Sequence, residues 1–252
     1  INSYQEVLGI IAGIRDLRRG FVTNFFPNEF KVNLWLKHGQ LSVMRSEESA
    51  LFVVANDGFY NLHFASSTFE ALQEQLKLLP QGCYVLDYIS RGADSKADDC
   101  FEQLGFKRHP ALDRMSRVPS ADEPNNEVCA NLRNATLADI PTIQSYFKEH
   151  FDKYVEQIPV EEELCQWIEQ GHIIVYDDNG RCGGFLIYDQ APASWYLRYW
   201  FVSPEYREKK VGSALIKEGM RRGAESKRQM FWVIETNENA IKRYEHYGYR
   251  AE

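Results

Sequence analysis

Residues Tyr199 to Leu215 read YWFVSPEYREKKVGSAL, and the order of residue types in that stretch decides the fold. A β-type apolar segment (Trp200, Phe201, Val202) breaks at Ser203-Pro204, because proline removes a ladder donor and ends the strand near Val202. A short basic loop follows (Arg207, Lys209, Lys210), and Gly212-Ser213 leads into an amphipathic helix carrying Leu215, Ile216 and Met220. A strand feeding a tight loop at a helix start is an anion cradle. The first-turn amides have no intrahelical partner, the helix dipole adds about half a positive charge, and glycine lets the backbone approach a phosphate closely.

A second pattern lies downstream. The strand-like run Gln229-Met230-Phe231-Trp232-Val233-Ile234 precedes Asn237-x-x-Ala240-x-x-x-Tyr244-x-x-x-Gly248-Tyr249, which reads as an Asn-initiated helix with a glycine C-cap. Leu215 and Asn237 are 22 residues apart, enough for the rest of one helix and one strand. Together the two patterns resemble the GNAT superfamily of acyl-CoA-dependent N-acyltransferases. That family's signature, V-x-P-x-Y-R-x-x-G-x-G-x-x-L, is matched by Val202, Pro204, Tyr206, Arg207, Gly212 and Leu215. Lys210 stands where the family has its first loop glycine, so the loop must do without glycine's freedom at positive φ there while gaining a charge.

The resemblance implies an α/β (α+β) fold of mixed, mostly antiparallel twisted sheets flanked by helices, and acetyl-CoA as co-substrate, with no metal. It places Phe201, Val202, Arg207, Lys209, Lys210, Val211, Gly212, Ser213, Ala214, Asn237 and Ala240 at the cofactor. Val202 matches the strand residue whose backbone amide faces pantetheine and the thioester oxygen, and Asn237 the pantetheine-contacting asparagine, although an N-cap alone would also explain Asn237. Tyr244 matches the phenol that protonates the leaving sulfur. Its ordinary pKa of about 10 suits a thiol leaving group. Packing of Tyr244 as a core aromatic is the other reading. Many family members carry a base four to six residues before the valine, but this chain has Tyr196, Leu197 and Arg198 there. Glu235 is the substitute base, with Asp189 behind it, and Trp195, Tyr196, Tyr199 and Trp200 are candidates to line an acceptor pocket.

An internal echo sets the domain count. Ala97-x-x-x-Phe101-Glu102-Gln103-Leu104-Gly105-Phe106-Lys107 mirrors Ala240-x-x-x-Tyr244-Glu245-His246-Tyr247-Gly248-Tyr249-Arg250, displaced by 143 residues. The expected organisation is therefore two GNAT-like domains in tandem: residues 1–118, a linker at 119–128 within VPSADEPNNEV (Val118–Val128), and a cofactor-binding domain at 129–252. The first copy is expected to be degenerate, building structure or shaping the acceptor pocket. Ser66-Ser67-Thr68 forms a plain helix cap with no basic, glycine-bearing loop, and Phe101 replaces the catalytic tyrosine.

In the second domain, strands are predicted at 131–133, 172–176, 182–188, 195–202 and 229–234, and helices from Thr136 to about Glu149, from 160 to 170, after Gly212 and after Asn237. Asp178-Asn179-Gly180 is a hairpin turn. The family continues past this point into a final strand, whereas Tyr249 lies three residues before Glu252. Either that strand is lacking or another segment completes the sheet. The corresponding tail of the first copy is His109–Arg117.

Composition narrows the class. With 252 residues, 44% hydrophobic and 13% aromatic, the chain can fill two cores. No apolar run approaches the roughly 18 residues of a membrane span. In Val7–Ala12 the basic residues follow the apolar run, unlike a secretion signal. Five scattered cysteines without CxxC spacing point to reduced thiols, a cytoplasmic location and no zinc site. A net charge of −7 opposes general nucleic-acid binding, yet residues 207–228 hold eight basic and three acidic side chains. The expectation is an N-acyltransferase moving an acetyl group from acetyl-CoA to the amine of a small molecule or peptide, with a homodimer possible and no nucleic-acid or membrane partner. The alternative is a non-catalytic acyl-CoA binding or sensing protein.

Overall fold

Each of the two apolar strand runs builds its own sheet, in a computed structural model that describes residues 1–90, 95–119 and 129–252. The chain divides into units Ile1–Arg108 and His109–Glu252. The fold class is the expected one, antiparallel-dominated sheets flanked by helices.

The first unit contains α1 (Tyr4–Asp16), β1 (Val22–Thr23), α2 (Glu29–Lys37), β2 (Leu41–Arg45), β3 (Ser49–Ala55), β4 (Tyr60–Ser66), α3 (Phe69–Leu76), β5 (Tyr84–Val85) and α4 (Ser95–Gln103). Side-chain caps start three helices: Ser3 accepts from Glu6 N–H, Asn28 from Lys31 N–H and Thr68 from Ala71 N–H. Strands β2, β3 and β4 run antiparallel. β3 alternates its side chains between two cores, Phe52 and Val54 meeting Val7 and Ile11 of α1, Leu51 and Val53 meeting Leu72 and Leu76 of α3. The outer edge of β4 takes two partners. β5 runs parallel to it at Tyr60 and Asn61, and β1 antiparallel at Ala65 and Ser66.

The second unit holds β6 (Leu112–Arg117), β7 (Leu132–Asn134), a 3-10 turn at Leu137–Asp139, α5 (Ile140–His150), α6 (Glu161–Glu169), β8 (Ile173–Asp178), β9 (Arg181–Ala191), β10 (Ser194–Val202), a 3-10 turn at Pro204–Tyr206, α7 (Val211–Arg222), β11 (Arg228–Ile234), α8 (Glu238–His246) and β12 (Arg250–Ala251). These elements match the predicted ones to within a few residues. The sheet order is β12-β6-β11-β10-β9-β8-β7, antiparallel except for β10 against β11. Ile174 and Leu186 face the core beneath α7, while Ile173, Val175, Phe185 and Ile187 face the core beneath α5 and α6.

Residues 109–117 differ from their reading as a tail of the first unit. β6 lies between β11 and β12, pairing Leu112–Arg117 with Ile234–Gln229 and Met115–Ser116 with Ala251–Arg250. The physical reason is a set of partners available only there. Met115 is buried beside Phe231 and Tyr249. Arg117 donates to Gln229 Oε1 and to Tyr247 C=O, both at 2.8 Å, and fully buried Gln229 donates on to Met220 C=O at 2.8 Å. Arg114 and Arg228 both pair with Glu252. β6 thus occupies the sheet position between β11 and β12. Residues 120–128 of the expected linker lie outside the described residues.

The sequence echo is also an echo in geometry. Gly105 and Gly248 end α4 and α8 at φ 85° and 86°, and in each case the following aromatic N–H (Phe106, Tyr249) returns at 3.1 Å to the C=O of the helix aromatic (Phe101, Tyr244).

Candidate functional site

β10 leaves its parallel neighbour part-way along. β11 pairs with Ser194, Trp195 and Tyr196 only, whereas β9 follows β10 all the way to Val202. The register shifts between Leu197 and Tyr199, so Arg198 is a bulge residue, and bulges bend and twist the strand that carries them. Beyond it, none of the described strands pairs with the β11-side edge of β10, an opening in the ladder. Ser203 N–H donates to Gly183 C=O on the β9 side at 3.1 Å. Strand alternation therefore turns the N–H of Val202, and of Trp200 before it, away from β9 and into the opening. The even side chains Trp200 and Val202 pack toward α7 and α8, the odd ones Tyr199 and Phe201 toward α5 and α6.

The loop after β10 keeps the backbone shape of the glycine-bearing motif without its first glycine. Lys210 takes φ 60° and ψ 11°, and Glu208 takes φ 69°. A left-handed lysine is unfavourable by about 1–2 kcal/mol. The first intrahelical donor near this end of α7 is Ala214, bonded to Lys210 C=O at 3.0 Å, so the amides of Val211, Gly212 and Ser213 precede the helical ladder. Arg207, Lys209 and Lys210 are exposed around them. A Cβ on Gly212 would stand 3.2 Å from the Trp200 ring and 3.3 Å from Val202 Cγ2, so this glycine keeps the floor of the cradle clear. Ser213 Oγ accepts from Tyr247 OH at 2.9 Å, tying the start of α7 to the end of α8.

Two glycines absent from the sequence reading let β9 come close to β10 and to the Tyr206 ring. A Cβ on Gly184 would come 2.6 Å from Phe201 O, and one on Gly183 would come 2.9 Å from the Tyr206 ring. Gly183 and Gly184 in the middle of an apolar strand were the available signal, since glycine there marks close backbone approach.

The remaining expected site residues fall on or around α8. Asn237 is its N-cap, accepting from Ala240 N–H at 3.2 Å, so the capping role proves correct whatever else the side chain does. Ala240 and Tyr244 pack on the core shared with Trp200. The Tyr244 ring centroid lies 5.5 Å from Trp200 and 4.1 Å from Phe231, which puts it beside the opening, and burial pushes its phenol well above the usual value. Glu235 is exposed just past β11, its N–H bonded to Ala111 C=O on the β6 side. Asp189 is engaged twice, by the Trp167 indole N–H and by Arg198, both at 2.7 Å. Among the acceptor-pocket candidates, Trp195 is a fully buried core residue and the Tyr199 hydroxyl donates to Gln157 C=O.

Residues 140–249 match the model of the acetyltransferase (GNAT) family. That match covers 110 of the 252 residues. Among solved structures, a GCN5-related N-acetyltransferase from Sphaerobacter thermophilus is similar at 17% identity and TM-score 0.55, over 89% of this chain and 82% of that one. A Drosophila protein is similar at 14% identity and TM-score 0.52, over 81% and 71%. A GNAT-family protein from Novosphingobium aromaticivorans shares 20% identity at TM-score 0.42, over 56% of this chain and 59% of that one. At these identities the likeness is one of fold. No curated protein matches the chain.

The second unit has features that fit an acyl-CoA. Three leading amides of α7, a glycine floor and three exposed cations suit a diphosphate. The open edge of β10 suits an extended arm carrying amides, and the buried Trp200 Nε1 beside it has no hydrogen-bond partner. Among the described residues no cluster of His, Cys, Asp or Glu could hold a metal, and no helix is long and apolar enough to cross a membrane.

Proposed function

We propose that the second unit is an acyl-CoA-dependent N-acyltransferase that moves an acetyl group from acetyl-CoA to the amine of a small molecule or peptide by direct transfer. The single observation that carries this reading is the open edge of β10 leading into the free amides of α7. When bound, the co-substrate supplies a thioester whose C–S bond breaks as the acceptor's N–C bond forms. The chain's residues do the rest. The amides of Val211, Gly212 and Ser213, with Arg207, Lys209 and Lys210, hold the diphosphate, while Phe201, Ala214 and Ala240 shape the walls. Val202 N–H is aimed at the charge that develops on the acyl oxygen, a donor often worth about 3 kcal/mol.

Tyr244, protonated at neutral pH as any phenol is, delivers its proton to the departing sulfur, and the burial that raises its pKa makes it a weaker acid for that step. Glu235 receives the amine proton through solvent at the exposed end of β11. The first unit is a copy of the same architecture with a structural role, its slot closed by its own chain. A second reading, acyl-CoA binding without transfer, is favoured by the lack of a carboxylate at residues 196–198 and by the engagement of Asp189.

The test is Tyr244→Phe, assayed by thiol release with a panel of amines and by calorimetry with acetyl-CoA. Turnover is expected to fall at least tenfold with affinity within twofold of the parent. Equal losses in both would remove the acid role. Stoichiometric binding with no acceptor-dependent thiol release from the parent protein would select the binding-only reading.

A further inference from the structure

Tyr206 is the tyrosine of the loop motif, and its surroundings tie the cradle to a distant hairpin. Its ring is buried in the space left by Gly183. Its hydroxyl donates to Asp178 Oδ2 at 2.9 Å, in the turn that joins β8 to β9. The other oxygen of Asp178 accepts from Asn179 Nδ2 at 3.1 Å, and Asn179 and Gly180 hold the turn at φ 52° and 87°. The far face of the same tyrosine carries Lys209, whose ammonium sits 4.7 Å from the ring centroid. A rigid turn, a buried ring and one loop cation thus form a continuous chain of contacts.

Ordering a long side chain on binding costs about 0.5–1.5 kcal/mol, and a cation already resting on an aromatic face avoids part of that. The left-handed residues Glu208 and Lys210 flank Lys209, so a shift of the Tyr206 ring would move the segment that aims the leading amides of α7.

We infer that Asp178 is a positioning residue for anion binding, acting through Tyr206 to hold Lys209 and the loop in the shape that receives the phosphates of acyl-CoA. The inference rests on the proposed acyl-CoA site and adds to it a residue outside that site. The hydrogen bond to Asp178 also holds the Tyr206 phenol above its usual pKa.

Calorimetric titration of the full chain with acetyl-CoA tests it, with thermal melting of each variant alongside. Asp178→Ala and Tyr206→Phe are each expected to weaken binding about tenfold, and Asp178→Asn, which keeps an acceptor oxygen, to stay within threefold of the parent. Lys209→Ala is expected to weaken binding about tenfold in the parent and less than threefold in the Tyr206→Phe background, because the two act in series. Parent-like affinity in Tyr206→Phe, which preserves the buried ring, overturns the inference even if Asp178→Ala does not fold. So do fully additive losses. A parent protein that binds no acetyl-CoA removes the site itself, whereas a binding parent with indifferent variants leaves the site standing and removes only the role of Asp178.

Discussion

Strands β4 and β10 each close an antiparallel run, and each is followed by a helix and a parallel strand, but their outer edges have different fates. In β10 the pairing stops at Tyr196 and the edge stays open to Val202. In β4 the chain itself takes every position. β5 covers Tyr60 and Asn61, β1 covers Ala65 and Ser66, and the gap between them is filled by side chains. Asn24 accepts from Phe64 N–H at 2.6 Å and donates to Leu62 C=O at 3.0 Å, while Thr23 Oγ1 donates to Phe64 C=O at 2.6 Å. Beneath that seal Phe25 stacks on His63, 4.8 Å away, and His63 on Trp35, 5.6 Å away. Two strand edges followed by the same order of elements can therefore meet opposite fates. A side-chain amide satisfies in β4 what an extended ligand with amides would satisfy in β10, which is why function has to be argued from the edge and not from the fold.

The largest expected effect is on the sealed side. Burial, helped by Lys31, lowers the His63 pKa to about 4. A depressed pKa contributes stability that is complete above about pH 6.5 and is lost as pH falls toward 4, here about 3 kcal/mol in all. Trp35 is the lone tryptophan of the first unit and stacks on His63, so its fluorescence in denaturant melts at pH 7 and pH 4 reads the loss. A His63→Phe chain that melts with the same pH dependence would break the assignment.

On the open side, Gly212→Val sets a side chain against Trp200 and Val202, and acetyl-CoA affinity is expected to fall about a hundredfold by calorimetry. Unchanged affinity would mean that the cradle lies elsewhere. Asn24→Ala strips partners from two backbone groups of β4 and should destabilise the first unit by about 2 kcal/mol. Acetyl-CoA affinity should not change, and a gain of a second binding event would sharpen the contrast by showing that the seal alone excludes the ligand. The smallest effect belongs to Lys210→Gly. Relief of the left-handed lysine, less the extra entropy of glycine, is expected to raise stability by about 0.5–1 kcal/mol, read as a shift in denaturant midpoint.

Local chemistry made much of this legible in the sequence. The strands of the second unit follow from apolar runs bounded by turn residues, and the loop-to-helix turn after β10 from Pro204, the basic loop and Gly212. The sequence marks Lys210 as lacking glycine's freedom at positive φ, yet the lysine takes that conformation all the same. What escaped depends on distant partners or on stretches too short to show a period. Val22–Asn24 has too few residues to alternate, and its meaning comes from β4 some 40 residues away. The bulge at Arg198 is a matter of register against β9, and the double duty of Asp189 appears only once Trp167 is folded beside it. The place of β6 could not be read locally either, since a strand's own residues do not say which sheet it joins.

That strand has a consequence during synthesis. Leu112–Arg117 leaves the ribosome long before Arg228–Ile234, its main partner, which is roughly 110 residues further along. At translation rates of about 5–20 residues per second, the strand waits on the order of 5–20 s with its hydrogen-bonding groups unclaimed. Nascent chains of this protein thus hold Leu112–Arg117 unpaired until Arg228–Ile234 emerges, with Asp113, Arg114 and Arg117 as the charges that keep the waiting strand from pairing elsewhere.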